Sequence, residues 1–149
     1  MAGDVAAGET PRQGLLDTNI LILRRGIAEQ SLPEEMAISA VSLAELSAGV
    51  HLVDGDDVAA RAERARRIEV LQRIEHEFEP IPFDADAARL FGRINAAVLA
   101  AGRTPRRRVA DLMIAAVAAA NDLPLFTTNP DDFVGLGEIV EVVDVPRPR

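Results

Sequence analysis

Apolar positions along this chain fall into short continuous runs separated by longer stretches with helical spacing. Leu15-Leu16 ends in Asp17-Thr18-Asn19, as a buried strand stopped by cap and turn formers does. Ile20 to Leu23 then opens a short helix that ends near Gly26. Met36 to Ser39 predicts a second strand and leads into VSLAELSAGVHLV, where Leu43, Leu46 and Val50 recur at i, i+3 and i+7. A long helix is expected from about Asp56 to Glu77 on a moderately apolar stripe, and Pro80 to Phe83 reads as a third strand. Asp84 is a good N-cap for the next helix, whose apolar face is Ala87, Leu90-Phe91, Ile94 and Val98 and whose stop is Gly102. The segment Val109 to Asn121 is apolar nearly all round, which predicts a buried helix. Leu123 to Thr127 and Ile139 to Val143 are the fourth and fifth strand candidates. Strands alternating with helices argue for an α/β sandwich on a mainly parallel sheet of about five strands. Residues 1–14 carry too little apolar material to offset the entropy of ordering, so a flexible tail is expected there and a single domain over 15–145.

Composition narrows the chemistry more than the fold. With 149 residues, 48% of them hydrophobic, the chain can enclose one real core. It has no cysteine, which excludes disulfides, thiolate metal sites and thiol nucleophiles. Lysine is absent as well, so all 16 basic residues are arginine and Schiff-base or P-loop lysine chemistry is unavailable. No apolar run is long enough to span a bilayer, and a soluble cytoplasmic protein is the expectation. The net charge of -8 gives no general affinity for nucleic acid. Charge is segregated, however: residues 61–108 hold 11 arginines against 7 acidic residues.

The two histidines, His51 at the end of an apolar helix and His76 inside EHEFE, lie in no serine–carboxylate pattern, which leaves carboxylates to carry any chemistry. Asp17 follows the first strand, at the edge where parallel sheets place ligands, although an Asp there also caps helices. Glu45 completes Ser42-x-x-Glu45, a legitimate capping box, yet its helical neighbours are mostly small and would let a ligand approach. Asp111 is the only ionisable residue from Val109 to Asn121, and burying an unpaired carboxylate costs several kcal/mol. Its compensation is the helix N-terminus, one of Arg106 to Arg108, or a cation. The TTNPDDF segment gathers Thr127, Thr128, Asn129, Asp131 and Asp132 at another strand end, where such a cluster is commonly a turn. Taken together, oxygen-only donors without cysteine or histidine select hard cations, Mg²⁺ or Mn²⁺.

LLDTNIL at 15–21, ISAVSLAEL at 38–46, PFDADAARLFGRINAAVLAAGR at 82–103 and VADLMIAAVAAANDLPLFTTNPDDF at 109–133 resemble, in this order, the PIN-domain ribonucleases, and within them the VapC toxins of type II toxin–antitoxin modules. That resemblance implies a PIN-like three-layer sandwich and a metal-dependent endoribonuclease with Asp17, Glu45 and Asp111 as metal ligands. The fourth acidic position falls in the loop with Asn129, where many relatives carry Asp, and Asp132 is taken as its occupant. Thr18 and Asn19 are expected to orient the first ligand, with Thr127 and Asn129 supporting the loop. Arg103, Arg106, Arg107 and Arg108 are a candidate RNA-binding patch, or equally a solvated charge run. Implied partners are RNA, a cognate VapB-type antitoxin and a second copy of the chain. A phosphoaspartyl or response-regulator reading fails on the missing lysine and on Thr18-Asn19 after Asp17; a solitary RNA-processing nuclease and a non-catalytic interaction module of the same fold remain as alternatives.

Overall fold

The computed structural model describes residues 9–149. Four short strands, β1 (Gln13–Leu16), β2 (Glu35–Ala37), β3 (Leu125–Thr127) and β4 (Val142–Asp144), pair in the order β2-β1-β3-β4, every pair parallel. The helices are α1 (Thr18–Leu23), α2 (Ala40–His51), α3 (Val58–Glu77), α4 (Ala85–Ala100) and α5 (Val109–Ala120). Alternation of side chains along the strands divides the interior in two. Leu15 and Leu125 face the core built from α4 and α5, where Ile94, Leu112 and Ala116 are buried. Leu16 and Phe126 face the other core, with Ile20 and Leu21 of α1, Leu46 of α2 and Ile74 of α3. The result is helices on both faces of a parallel sheet, a three-layer α/β sandwich.

The strand count is four rather than five, and proline is the reason. Ile81 makes one parallel bridge to Ser39, exchanging Ala40 N–H to Ile81 O (2.8 Å) and Ile81 N–H to Ile38 O (2.9 Å). Pro80 and Pro82 flank it, and neither has an N–H to extend the ladder. Ile139 and Val140, expected to begin the last strand, instead close a turn in which both donate to Leu136 O, so β4 starts at Val142. Most of the expected N-terminal tail, residues 1–8, lies outside the described residues. Gln13 and Gly14, assigned to that tail, belong to β1, where Gln13 pairs with Glu35 and Gly14 with Met36. Gly14 lies so close to the Phe126 ring that a Cβ would overlap it, which lets the aromatic side chain lie across the strand.

Connectivity fixes the place of the site. From β1 the chain passes to β2 on one side and later to β3 on the other, so the carboxyl ends of β1 and β3 flank the point where strand order reverses. Ligands of open parallel sheets bind outside such a switch point. Among the described residues, no helix is long and apolar enough to cross a membrane.

Candidate active site

Asp17 leaves β1 directly into this switch point and is only 3% exposed. Its two oxygens are held from two directions: Oδ1 accepts from the Thr18 N–H (2.8 Å) as the N-cap of α1, and Oδ2 accepts from the Thr127 hydroxyl (2.9 Å) at the end of β3. The cap reading and the site reading of Asp17 are therefore compatible. Burial pushes its carboxyl above the ordinary value; the Thr127 and Thr18 hydrogen bonds oppose the shift, and the charges of Glu45 and Asp132 add to it.

Glu45 projects from α2, whose N-cap is Ser39, accepting from the Val41 N–H at 3.0 Å. The expected Ser42-x-x-Glu45 capping box is thus not formed, because the helix starts one turn earlier. Both residues are instead available to the site. Thr18 Oγ1 donates to Glu45 Oε1 (2.7 Å) and lies 2.9 Å from Ser42 Oγ. A hydroxyl has one proton, so with Thr18 donating to Glu45 the Ser42 hydroxyl donates to Thr18. Thr18 therefore divides its work, its backbone holding Asp17 and its side chain Glu45. Asn19 is exposed and lines the cavity, while the groups that hold Asp17 are Thr18 and Thr127.

Asp111 sits in the first turn of α5, a helix in which Leu112 and Ile114 to Ala118 are all buried. Its pKa is pushed up to about 6, mainly by burial and then by the charges of Asp17, Glu45 and Asp132, with Arg108 opposing. Of the three arginines that precede Asp111, Arg108 turns to a different carboxylate: its Nη2 lies 3.6 Å from Asp132 Oδ1. Asp132 belongs to the 3₁₀ turn Pro130–Phe133, with Phe133 packed into the core. Asp131 meets the rest of the molecule through its backbone, its carbonyl accepting from Arg103 Nη1 (2.6 Å). Asn129 accepts at Oδ1 from Arg147 (2.5 Å), and its N–H donates to Thr127 Oγ1 (3.0 Å).

Asp17, Glu45 and Asp111 line one cavity of about 680 Å³, floored by Ile22, Leu46 and Val70 and bordered by Glu63, Arg66 and Arg67. Ile22, Glu63, Arg66 and Arg67 carried no sequence signal of a role there; only the pairing of elements brings them in. Arg66 and Arg67 are both engaged with Glu63, which leaves the carboxylate wall without a close neutralising partner. Such a wall suits a hard cation. In their present rotamers, no three acidic or histidine side chains among the described residues close around a single point. The donor set therefore fits an ion that takes one or two carboxylates directly and keeps several waters, as Mg²⁺ commonly does.

Comparison with known proteins agrees with this geometry. The PIN-domain profile matches residues 14–138. The chain belongs to the PIN-domain family. It is 38% identical over 141 residues to Ribonuclease VapC5 of Mycobacterium tuberculosis, covering 91% of this chain and 98% of that protein. To Ribonuclease VapC8 of the same species it is 33% identical over 106 residues, 70% of this chain and 89% of the relative. Among solved structures, a member of the VapBC family of toxin–antitoxin systems, VapBC-5 from Mycobacterium tuberculosis, superimposes with a TM-score of 0.76 at 36% identity. That match covers 91% of this chain and all of the other. FitAcB from Neisseria gonorrhoeae follows with a TM-score of 0.62 at 26% identity over 87% of this chain and 96% of its own. The PIN-domain chain thus carries Asp17, Glu45 and Asp111 on the walls of a single cavity.

Proposed function

We propose that this PIN-domain chain is a metal-dependent endoribonuclease and the toxin of a toxin–antitoxin pair. The observation that carries the reading is the convergence of Asp17, Glu45 and Asp111 on one cavity, with Asp132 close enough to raise the pKa of two of them. Similarity to Ribonuclease VapC5 over 91% of the chain and to Ribonuclease VapC8 over 70% of it supports the same activity.

Asp17, Asp111 and Glu45 would hold Mg²⁺ or Mn²⁺, which when bound supplies an activated water and neutralises charge on the phosphodiester undergoing hydrolysis. The protein's own part is to keep those carboxylates ionised and aimed. Thr127 and the Thr18 N–H fix both oxygens of Asp17, and the Thr18 hydroxyl, backed by Ser42, fixes Glu45. Asp132 is the fourth acidic group, and Asn129 supports the loop through Thr127. The apolar floor, where Ile22 is 52% exposed, suits a segment of a VapB-type antitoxin laid across the cavity. Association of two copies of the chain completes the proposal.

Incubation of the purified chain with total cellular RNA, with Mg²⁺ or with EDTA, tests the activity. Cleavage that needs the metal and is lost in Asp17→Asn and Asp111→Asn is expected; cleavage undiminished in EDTA, or intact in both variants, would sink the mechanism. Co-purification with the product of a neighbouring reading frame tests the toxin role, and recovery only as a free, non-toxic monomer would count against it.

A further inference from the structure

A second cavity, about 530 Å³, opens beside the loop that carries Asp132 and is lined by Arg103, Thr104, Arg106, Arg107 and Arg108. Two of its arginines are fixed by that loop: Arg103 donates to Asp131 O at 2.6 Å, and Arg108 lies against Asp132 through its carbonyl (3.4 Å) and carboxylate (3.6 Å). The other two are different. Arg106 and Arg107 are exposed on a 3₁₀ turn and form no ion pair among the described residues. Arg61 pairs with Asp56, Arg66 with Glu63 and Arg89 with Asp86, whereas Arg93, also exposed and without an ion pair among the described residues, stands apart on α4 and not beside other arginines. In a chain of net charge -8, two uncompensated guanidinium groups beside two anchored ones form a local reversal of sign. The first turn of α5, which has no side-chain cap, begins directly after Arg108 and adds unsatisfied N–H groups of the same polarity.

We propose that this cleft is a phosphate subsite for the single-stranded RNA substrate, distinct from the cavity where the bond is cut. The proposal rests on the ribonuclease reading and adds the direction of the strand: from the carboxylate wall, past Asp132, to the arginine cleft. Continuity supports this path, because Arg108 touches Asp132 and lies one helical turn before Asp111. Guanidinium groups recognise phosphate oxygens bidentately, and they read charge and shape rather than base identity. The subsite therefore contributes affinity and position, while the acidic wall, which repels RNA by itself, contributes the chemistry.

Binding of a fluorescein-labelled twelve-nucleotide single-stranded RNA, followed by anisotropy in EDTA across a salt series, tests the subsite without any metal or turnover. Each phosphate contact on a single strand contributes about 0.7 to the slope of log affinity against log salt, so Arg106→Gln/Arg107→Gln is expected to lower the slope by about 1.4. Arg106→Lys/Arg107→Lys restores the slope, since the charges return. The charge-matched control Arg25→Gln/Arg89→Gln, on ion-paired arginines elsewhere, leaves it unchanged. An unchanged slope in the Arg106/Arg107 glutamine variant overturns the subsite, as it would if the cleft served an acidic protein instead. An equal fall in the control pair also overturns it, by showing diffuse attraction. If the wild-type chain gives the expected slopes yet cleaves no RNA with Mg²⁺, the ribonuclease reading fails while the phosphate subsite stands.

Discussion

Thr127 and Asp17, 110 residues apart in sequence, meet at 2.9 Å where the carboxyl ends of β3 and β1 lie side by side. One hydroxyl thereby stabilises the ionised form of a carboxylate that burial disfavours. Its second task is to accept the Asn129 N–H, so the conformation of the loop and the state of Asp17 share one atom.

Thr127→Val keeps the shape and removes the donor. The pKa of Asp17 moves further up, so less of it is ionised on the acid side. RNA cleavage should fall about tenfold or more, and by more at the lower of two pH values, a hydrogen bond to a charged group contributing about 1.5–3 kcal/mol. Thr127→Ser, which keeps the hydroxyl, should retain most activity at both pH values. Equal loss at the two pH values in Thr127→Val would show that the hydroxyl acts on loop shape alone.

Asp111 gives the metal-free protein a dependence of stability on pH. Its folded pKa, about 6, lies above the ordinary 3.8, so between these values the folded state binds the proton that the unfolded state has released. Stability is therefore greatest below pH 4 as far as this group is concerned, and falls as the pH rises through about 6. Asp111→Asn removes that contribution. Thermal melts in EDTA at pH 7.5 should show the variant more stable by about 1 kcal/mol after allowance for solvent screening, or about 2–4 °C. A variant less stable than wild type at pH 7.5 would contradict the assignment.

Asp132 and Asp131 are adjacent and unequal. The charge of Asp132 reaches both Asp17 and Asp111, whereas Asp131 is held at its carbonyl. Cleavage assays should show Asp132→Ala losing more than Asp131→Ala, with Asn129→Ala between them through loss of the Oδ1 that accepts from Arg147. Loss confined to Asp131→Ala would move the fourth acidic position by one residue.

Gly14→Ala should cost about 1–3 kcal/mol in denaturant unfolding, because the new methyl must displace the Phe126 ring from the core. Unchanged stability would mean that the ring has space to move.

What was legible in the sequence follows from how local each signal is. The buried helix over α5, the Asp84 cap of α4 and the three principal carboxylates are written in adjacent residues or in one helical period. The strand expected at Pro80 to Phe83 is reduced to one bridge because an apolar pattern does not register the two missing N–H donors on either side of Ile81. The helix start at Ser39 was hidden because Ser39 and Ser42 are both competent caps, and only the turn of chain after β2 decides between them. Arg147 reaches Asn129 through the parallel pairing of β3 with β4, a relation that no local spacing encodes.

Because α5 is enclosed along most of its length while α2 buries only Ser42 and Leu46, the two carboxylate-bearing helices answer differently to whatever enters between them. Central amides of α5 exchange with solvent only when the core opens, whereas α2 can open locally at smaller cost. Asp111 is therefore a fixed reference and Glu45 the side that adjusts. In deuterium-exchange terms, occupancy of the cavity is recorded by slowing at α2, with α5 already at its limit.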